Sequence, residues 1–179
     1  MGMEELVDQE LDLMLNLNHP FLIDLHYVFQ TESKLFFVQE FVPGGELETL
    51  LSREKSFSED AVIFYAAQII IAIGFMHSEG YIHRDLKLEN ILIDKNGYIK
   101  LIDFGISRKI KNNEDAITFA GTQDQMAPEM INRSGYDKSV DWWAVGIMMY
   151  EMLIGCNPFR VGGGGARLNQ KMFFEKVKK

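Results

Sequence analysis

The stretch YIHRDLKLENILIDKNGYIKLIDFG, residues 81–105, decides how this chain is read. Within it, Leu92-Ile93 and Tyr98 to Ile102 flank Asp94-Lys95-Asn96-Gly97, and Asn-Gly favours a tight turn. The two runs read as a hairpin. Asn90 stands just before one strand and Asp103 just after the other, so antiparallel pairing brings both to one end of the ribbon. A carboxamide oxygen and a carboxylate converging there form a hard-oxygen site suited to Mg²⁺. Asp85 lies in the loop before Asn90, and Lys87 adds a cation. A base, a cation and a metal site together suit transfer of an anionic group to a hydroxyl.

Outward from the hairpin, the chain alternates apolar runs and breaks. Glu4 to Leu17 has helical spacing and is stopped by Asn18-His19-Pro20. Phe21 to Phe29 and Leu35 to Val42 read as strands. Pro43-Gly44-Gly45 reads as a hinge between a small sheet-bearing part, residues 1–42, and a larger helical part, residues 43–179. Glu46 to Leu51 reads as a short helix. Ser58 can cap a helix running to about His77 that is apolar nearly all round and so belongs in the core. Asp141 to Leu153 reads as another buried helix, Gly162 to Gly165 as a break, and Gln170 to Lys178 as a last helix. The fold class is α+β, mostly helical.

Bulk properties narrow the function classes. The chain has 179 residues, a net charge of -8 and 25% charged residues. The acidity argues against nucleic acid and fits cationic partners such as basic peptides. A single cysteine, Cys156, excludes an intrachain disulfide and suits a reducing, cytoplasmic setting. The apolar run Val62 to Met76, broken by Gln68, is shorter than the roughly 20 residues that span a bilayer.

The motifs resemble those of eukaryotic serine/threonine protein kinases. His83-Arg84-Asp85-Leu86-Lys87-Leu88-Glu89-Asn90 is similar to their catalytic loop, Asp103-Phe104-Gly105 to their metal-binding triplet, and Ala127-Pro128-Glu129 to the end of their activation segment. Asp141-Trp142-Trp143 and Thr118-Phe119-Ala120-Gly121-Thr122 resemble the group holding the cyclic-nucleotide-dependent kinases and protein kinases B and C. The resemblance implies a protein-kinase-like fold and transfer of the ATP γ-phosphoryl group to serine or threonine. It implies that Asp85 accepts the hydroxyl proton, Lys87 stabilises the transferring group, and Asn90 and Asp103 hold Mg²⁺. Glu40, Val42, Glu46 and Leu92 would border ATP, and Glu10 would pair with an ATP-binding lysine. Glu46, Glu89 and Glu151, with Thr122, would meet a protein substrate that is basic around its phosphoacceptor. Thr118 would be phosphorylated by an upstream kinase and pair with Arg84 and Arg108. His83 and Phe104 would stack with Leu25 and Met14 in the core, and Asp141 would brace the catalytic loop.

Several positions depart from the family pattern. Gln123-Asp124-Gln125-Met126 replaces the usual Pro-Glu-Tyr-Leu, and Gln39 guards the back of the nucleotide pocket. Glu129 lacks the later helix whose arginine it meets in the family, which predicts a buried, unpaired carboxylate. Neither the glycine-rich loop nor its lysine partner is visible, the first basic residue being Lys34. These absences predict a kinase domain truncated at both ends and inactive as this chain. Two other classes stay open: a catalytically dead scaffold and a non-functional fragment.

Overall fold

The computed structural model describes residues 3–109, 121–159 and 170–178. Helix α1, Met3–Asn16, places Leu13, Met14 and Leu17 in the core. Strands β1, Leu25–Gln30, and β2, Leu35–Gln39, form an antiparallel pair. Both are shorter than the sequence pattern predicts. Phe21 to Ile23 are drawn away from β1 to pair with the hairpin strand at Leu101: Leu101 N–H donates to Phe21 O and Ile23 N–H to Leu101 O. One rung past the assigned ends, Glu40 N–H donates to Asp24 O at 3.0 Å in register with the pair, and its carboxylate accepts Asp24 N–H.

The hinge clamps onto the hairpin. Strands β4, Ile91–Ile93, and β5, Ile99–Leu101, pair antiparallel, and Gly44 N–H donates to Ile93 O while Ile93 N–H donates to Gly45 O. A Cβ at Gly44 would collide with the Ile93 carbonyl, so this close approach requires glycine. Helix α2, Leu47–Glu54, follows, with Glu46 at its N-cap.

Helix α3, Glu59–Ser78, is capped by Ser58, whose hydroxyl accepts Ala61 N–H at 3.3 Å. It is long and apolar enough to cross a membrane. Here it packs instead on α5, Ser139–Ile154, and on β5 and β3, Tyr81–Ile82. Its buried Gln68 accepts Ile99 N–H and donates to Phe64 O, so the one polar residue in the run is satisfied inside the protein. Val62, Ile69, Ala72, Ile73 and Met76 place α3 in the main core, as expected, while Ile63, Phe64, Ile70 and Ile71 leave one side of it exposed. Short strand β6, Arg108–Lys109, pairs with β3, and helices α4, Pro128–Asn132, and α6, Gln170–Val177, close a smaller cluster around Met130, Tyr136 and Phe173.

The expected burial of Glu129 is also corrected. This residue is only partly buried, and its carboxylate accepts the Ser139 hydroxyl at 3.5 Å.

Asp141 ties the two halves of the helical part together. Its carboxylate is 1% exposed and accepts His83 N–H and Arg84 N–H, each at 2.9 Å, while His77 Nε2 lies 2.8 Å away. Removing it leaves buried donors unmet, so Asp141→Ala is expected to cost about 3–5 kcal/mol in urea unfolding. Glu89→Ala, at an exposed site, is expected to cost about 0.5 kcal/mol or less. Equal losses would contradict this role for Asp141.

Candidate active site

The catalytic-loop backbone is fixed from α5, and its side chains are fixed from the segment after Gly121. Held by Asp141, Arg84 takes φ +70°, a region non-glycine residues seldom adopt. The chain then turns Asp85 towards Gly121 and Thr122. Gly121 has φ +113°, and a Cβ there would lie 2.5 Å from Arg84 O, so only glycine lets Thr122 come this close. Thr122 donates to Asp85 Oδ1 through its N–H at 2.8 Å and its hydroxyl at 2.7 Å. Lys87 Nζ donates to Asp85 Oδ2 at 2.8 Å and to the Thr122 hydroxyl at 3.3 Å.

These contacts set the charges. Burial pushes the Asp85 carboxyl up, but hydrogen bonds from Lys87 and Thr122 outweigh it and hold the group below the ordinary carboxylate value. Burial pushes Lys87 down, and Asp85 outweighs it, leaving the ammonium above its ordinary value. Both groups are ionised at neutral pH.

Asn90 donates its amide nitrogen to Asp85 O at 2.9 Å and Oδ2 at 3.3 Å, which turns its carboxamide oxygen away from Asp85. Ile102 N–H donates to Asn90 O, closing the hairpin end so that Asp103 follows directly. Asp103 has φ +64° and is exposed, with Oδ1 accepting Gly105 N–H at 3.3 Å. Glu10 approaches from α1: its Oε2 lies 3.7 Å from the position a Cβ on Gly105 would take. Burial first, then the charge of Asp103, pushes the Glu10 carboxyl up. No group of three or more His, Cys, Asp or Glu is arranged to hold a metal among the described residues. One carboxylate, one carboxamide and a negative field fit Mg²⁺, which takes few protein ligands when phosphates supply the rest.

The other expected residues fall into place unevenly. His83 is fully buried, edge-on to Phe104 at 5.6 Å, and burial pushes its pKa down, so it belongs to the core. Met14 and Phe104 share the main cluster, and Leu25 packs on it. Gln39 donates to Met14 Sδ at 3.7 Å. Glu46 bridges Leu92 through its backbone at the hinge, and Val42 is buried beside them. Arg84 is also buried, its guanidinium donating to Ile106 O at 2.6 Å and Tyr136 Oη at 3.4 Å. Thr118 and Gly162 to Gly165 lie outside the described residues.

A cleft of about 250 Å³ opens beside Lys87 and Thr122. Glu89 and Glu151 line it, but Glu46 does not; Glu48 and Asp124, which the sequence reading did not single out, do. Gln125 and Asn157 donate to Glu151 at 3.0 and 3.1 Å.

The protein kinase domain family model matches residues 2–178. The chain belongs to that family. It is 49% identical over 152 residues to ribosomal protein S6 kinase alpha-3 of Homo sapiens, a match covering 84% of this chain and 20% of that protein. It is 46% identical over 170 residues to a probable serine/threonine-protein kinase of Dictyostelium discoideum, covering 94% of this chain and 37% of that protein. The chain thus spans well under half the length of these relatives.

The Thr122 contacts give a direct test on this kinase domain. Thr122→Val removes the hydroxyl donor, so the Asp85 pKa is expected to rise in a carbon-detected NMR titration of its carboxyl. Because the folded value is depressed, Asp85 stabilises the fold above its unfolded pKa and loses that contribution as pH falls through the folded value. The loss should begin at higher pH in the variant. An unchanged Asp85 titration would contradict this assignment.

Proposed function

We propose that the chain forms the catalytic part of a kinase that transfers the ATP γ-phosphoryl group to serine or threonine of a protein. The observation that carries this reading is Asp85, held ionised by Lys87 and Thr122 beside Asn90 at the end of the hairpin that delivers Asp103. Asp85 orients the substrate hydroxyl and accepts its proton as the oxygen attacks phosphorus and the bond to the β-phosphate oxygen breaks. Lys87 places a cation beside the transferring group. Asn90 and Asp103 would hold Mg²⁺, which neutralises charge on the phosphates when bound. The backbone of Glu40 to Val42, with Leu92, would border the adenine.

Protein substrates basic near the phosphoacceptor fit the acidic cleft, since Glu48, Glu89, Asp124 and Glu151 outnumber Lys55 and Lys87 there. A phosphate on Thr118, added by an upstream kinase, would draw on Arg108 and on whatever donors Arg84 has left beyond Ile106 and Tyr136. The lone, exposed Cys156 fits a reducing cytoplasm.

A second reading, a kinase domain silent as this polypeptide, rests on Glu10. Among the described residues no cation contributes to its charge environment, in which burial and Asp103 act alone. The 179-residue polypeptide made alone is therefore expected to transfer no phosphoryl group above its Asp103→Ala control. Robust transfer that vanished in the control would overturn silence and uphold catalysis. Joined behind a glycine-rich loop and lysine strand, the chain is expected to phosphorylate arginine-rich peptides. Asp85→Asn should then lower kcat by about 10²–10⁴. An Asp85→Asn form as active as the parent would contradict the proposed function. Equal use of arginine-rich and arginine-free peptides would sink only the substrate preference.

A further inference from the structure

The segment after Asp103-Phe104-Gly105 is anchored at a point that none of the roles above uses. Tyr81 of β3 stands directly opposite Lys109 of β6 and is 3% exposed. Its hydroxyl donates to Asp12 Oδ2 of α1 at 2.8 Å and accepts from Lys109 Nζ at 3.4 Å. That ammonium also lies 4.9 Å from the centre of the Tyr81 ring. One buried phenol thus bridges an acid of α1 and a base of β6, both of which are exposed. Burial first, then Asp12, pushes the Tyr81 pKa up to about 12, so the hydroxyl keeps its proton.

What the bridge joins matters. Asp12 lies two residues after Glu10, and two residues on a helix are separated by about 200°. A contact that fixes Asp12 against β3 therefore fixes the rotation of α1, and with it the direction in which Glu10 points. At the other end, β6 follows the Asp103 triplet after a tight turn, with Ser107 N–H on Phe104 O and the Ser107 hydroxyl on His83 O.

We propose that Tyr81 is a positioning residue, whose hydroxyl ties α1 to β6 and so sets Glu10 against Asp103. The use made of that placement rests on the phosphotransfer reading; the tie itself does not. Removing the hydroxyl frees α1 and β6 to move independently, while Asp85 stays held by Thr122 and Lys87.

The test is amide hydrogen exchange on the full chain without nucleotide, joined to Mg²⁺·ADP titration. In Tyr81→Phe, exchange is expected to rise about tenfold in residues 11–17 and 106–109 and to stay unchanged in α5. Asp12→Ala, which keeps the Lys109 contacts, should loosen residues 11–17 alone, and combining it with Tyr81→Phe should give no rise beyond Tyr81→Phe. Mg²⁺·ADP affinity should fall about fivefold in Tyr81→Phe. Lys109→Met, which keeps the Asp12 bond, should loosen residues 106–109 alone. A uniform rise that includes α5, a rise in one segment only in Tyr81→Phe, additive single variants, or unchanged nucleotide affinity would each overturn the proposal. A parent that binds no Mg²⁺·ADP would refute the functional reading instead, and exchange alone would then decide this one.

Discussion

The buried carboxylate of Asp141 is the constraint on which the site depends. A carboxylate this enclosed is tolerated only when its oxygens are met by donors. The donors here are the backbone N–H groups of His83 and Arg84, with His77 alongside. Satisfying the acid therefore dictates the path of the catalytic loop. That path includes the positive φ of Arg84, a strain the hydrogen bonds offset. Asp85 follows immediately, so its direction is inherited from α5 rather than chosen by the loop.

From there the site is assembled by closure between segments distant in sequence. Gly121 meets the Arg84 carbonyl, Thr122 meets Asp85, and the hinge at Gly44 meets Ile93. Two electrostatic zones result. Around Asp85 the charges are balanced, since Lys87 faces it directly. Around Asp103 the Lys87 ammonium also acts, and Glu10 adds a second acid that burial and Asp103 push up.

The hairpin and the placing of Asn90 and Asp103 at one end of it were legible because Asn-Gly, alternation and spacing are local signals. The brace from Asp141 and the core role of His83 were legible only through the family resemblance. The start of β1 was not legible, because Phe21 to Ile23 are claimed by Leu101, far along the chain. The exposed side of α3 escaped because an all-apolar helix carries no signal of which side is covered. In the site, the Thr122 bonds to Asp85 were missed as a positioning device, and Glu48 and Asp124 were missed as cleft acids. Each is an ordinary polar residue until the fold sets it beside its partner. Tyr81 was unreadable for the same reason, since nothing in its neighbourhood announces Asp12, 69 residues away.

The central claim is that Asn90 and Asp103 form one cation and phosphate site at the hairpin end. Its most direct test is titration of the isotope-labelled chain with Mn²⁺ and ADP, followed by paramagnetic broadening of its NMR signals. The account predicts broadening centred on Asn90, Asp103 and Gly105, reaching Glu10, and lost in Asp103→Ala. Broadening that instead gathered at Glu48, Asp124 and Glu151, or that survived Asp103→Ala unchanged, would contradict it.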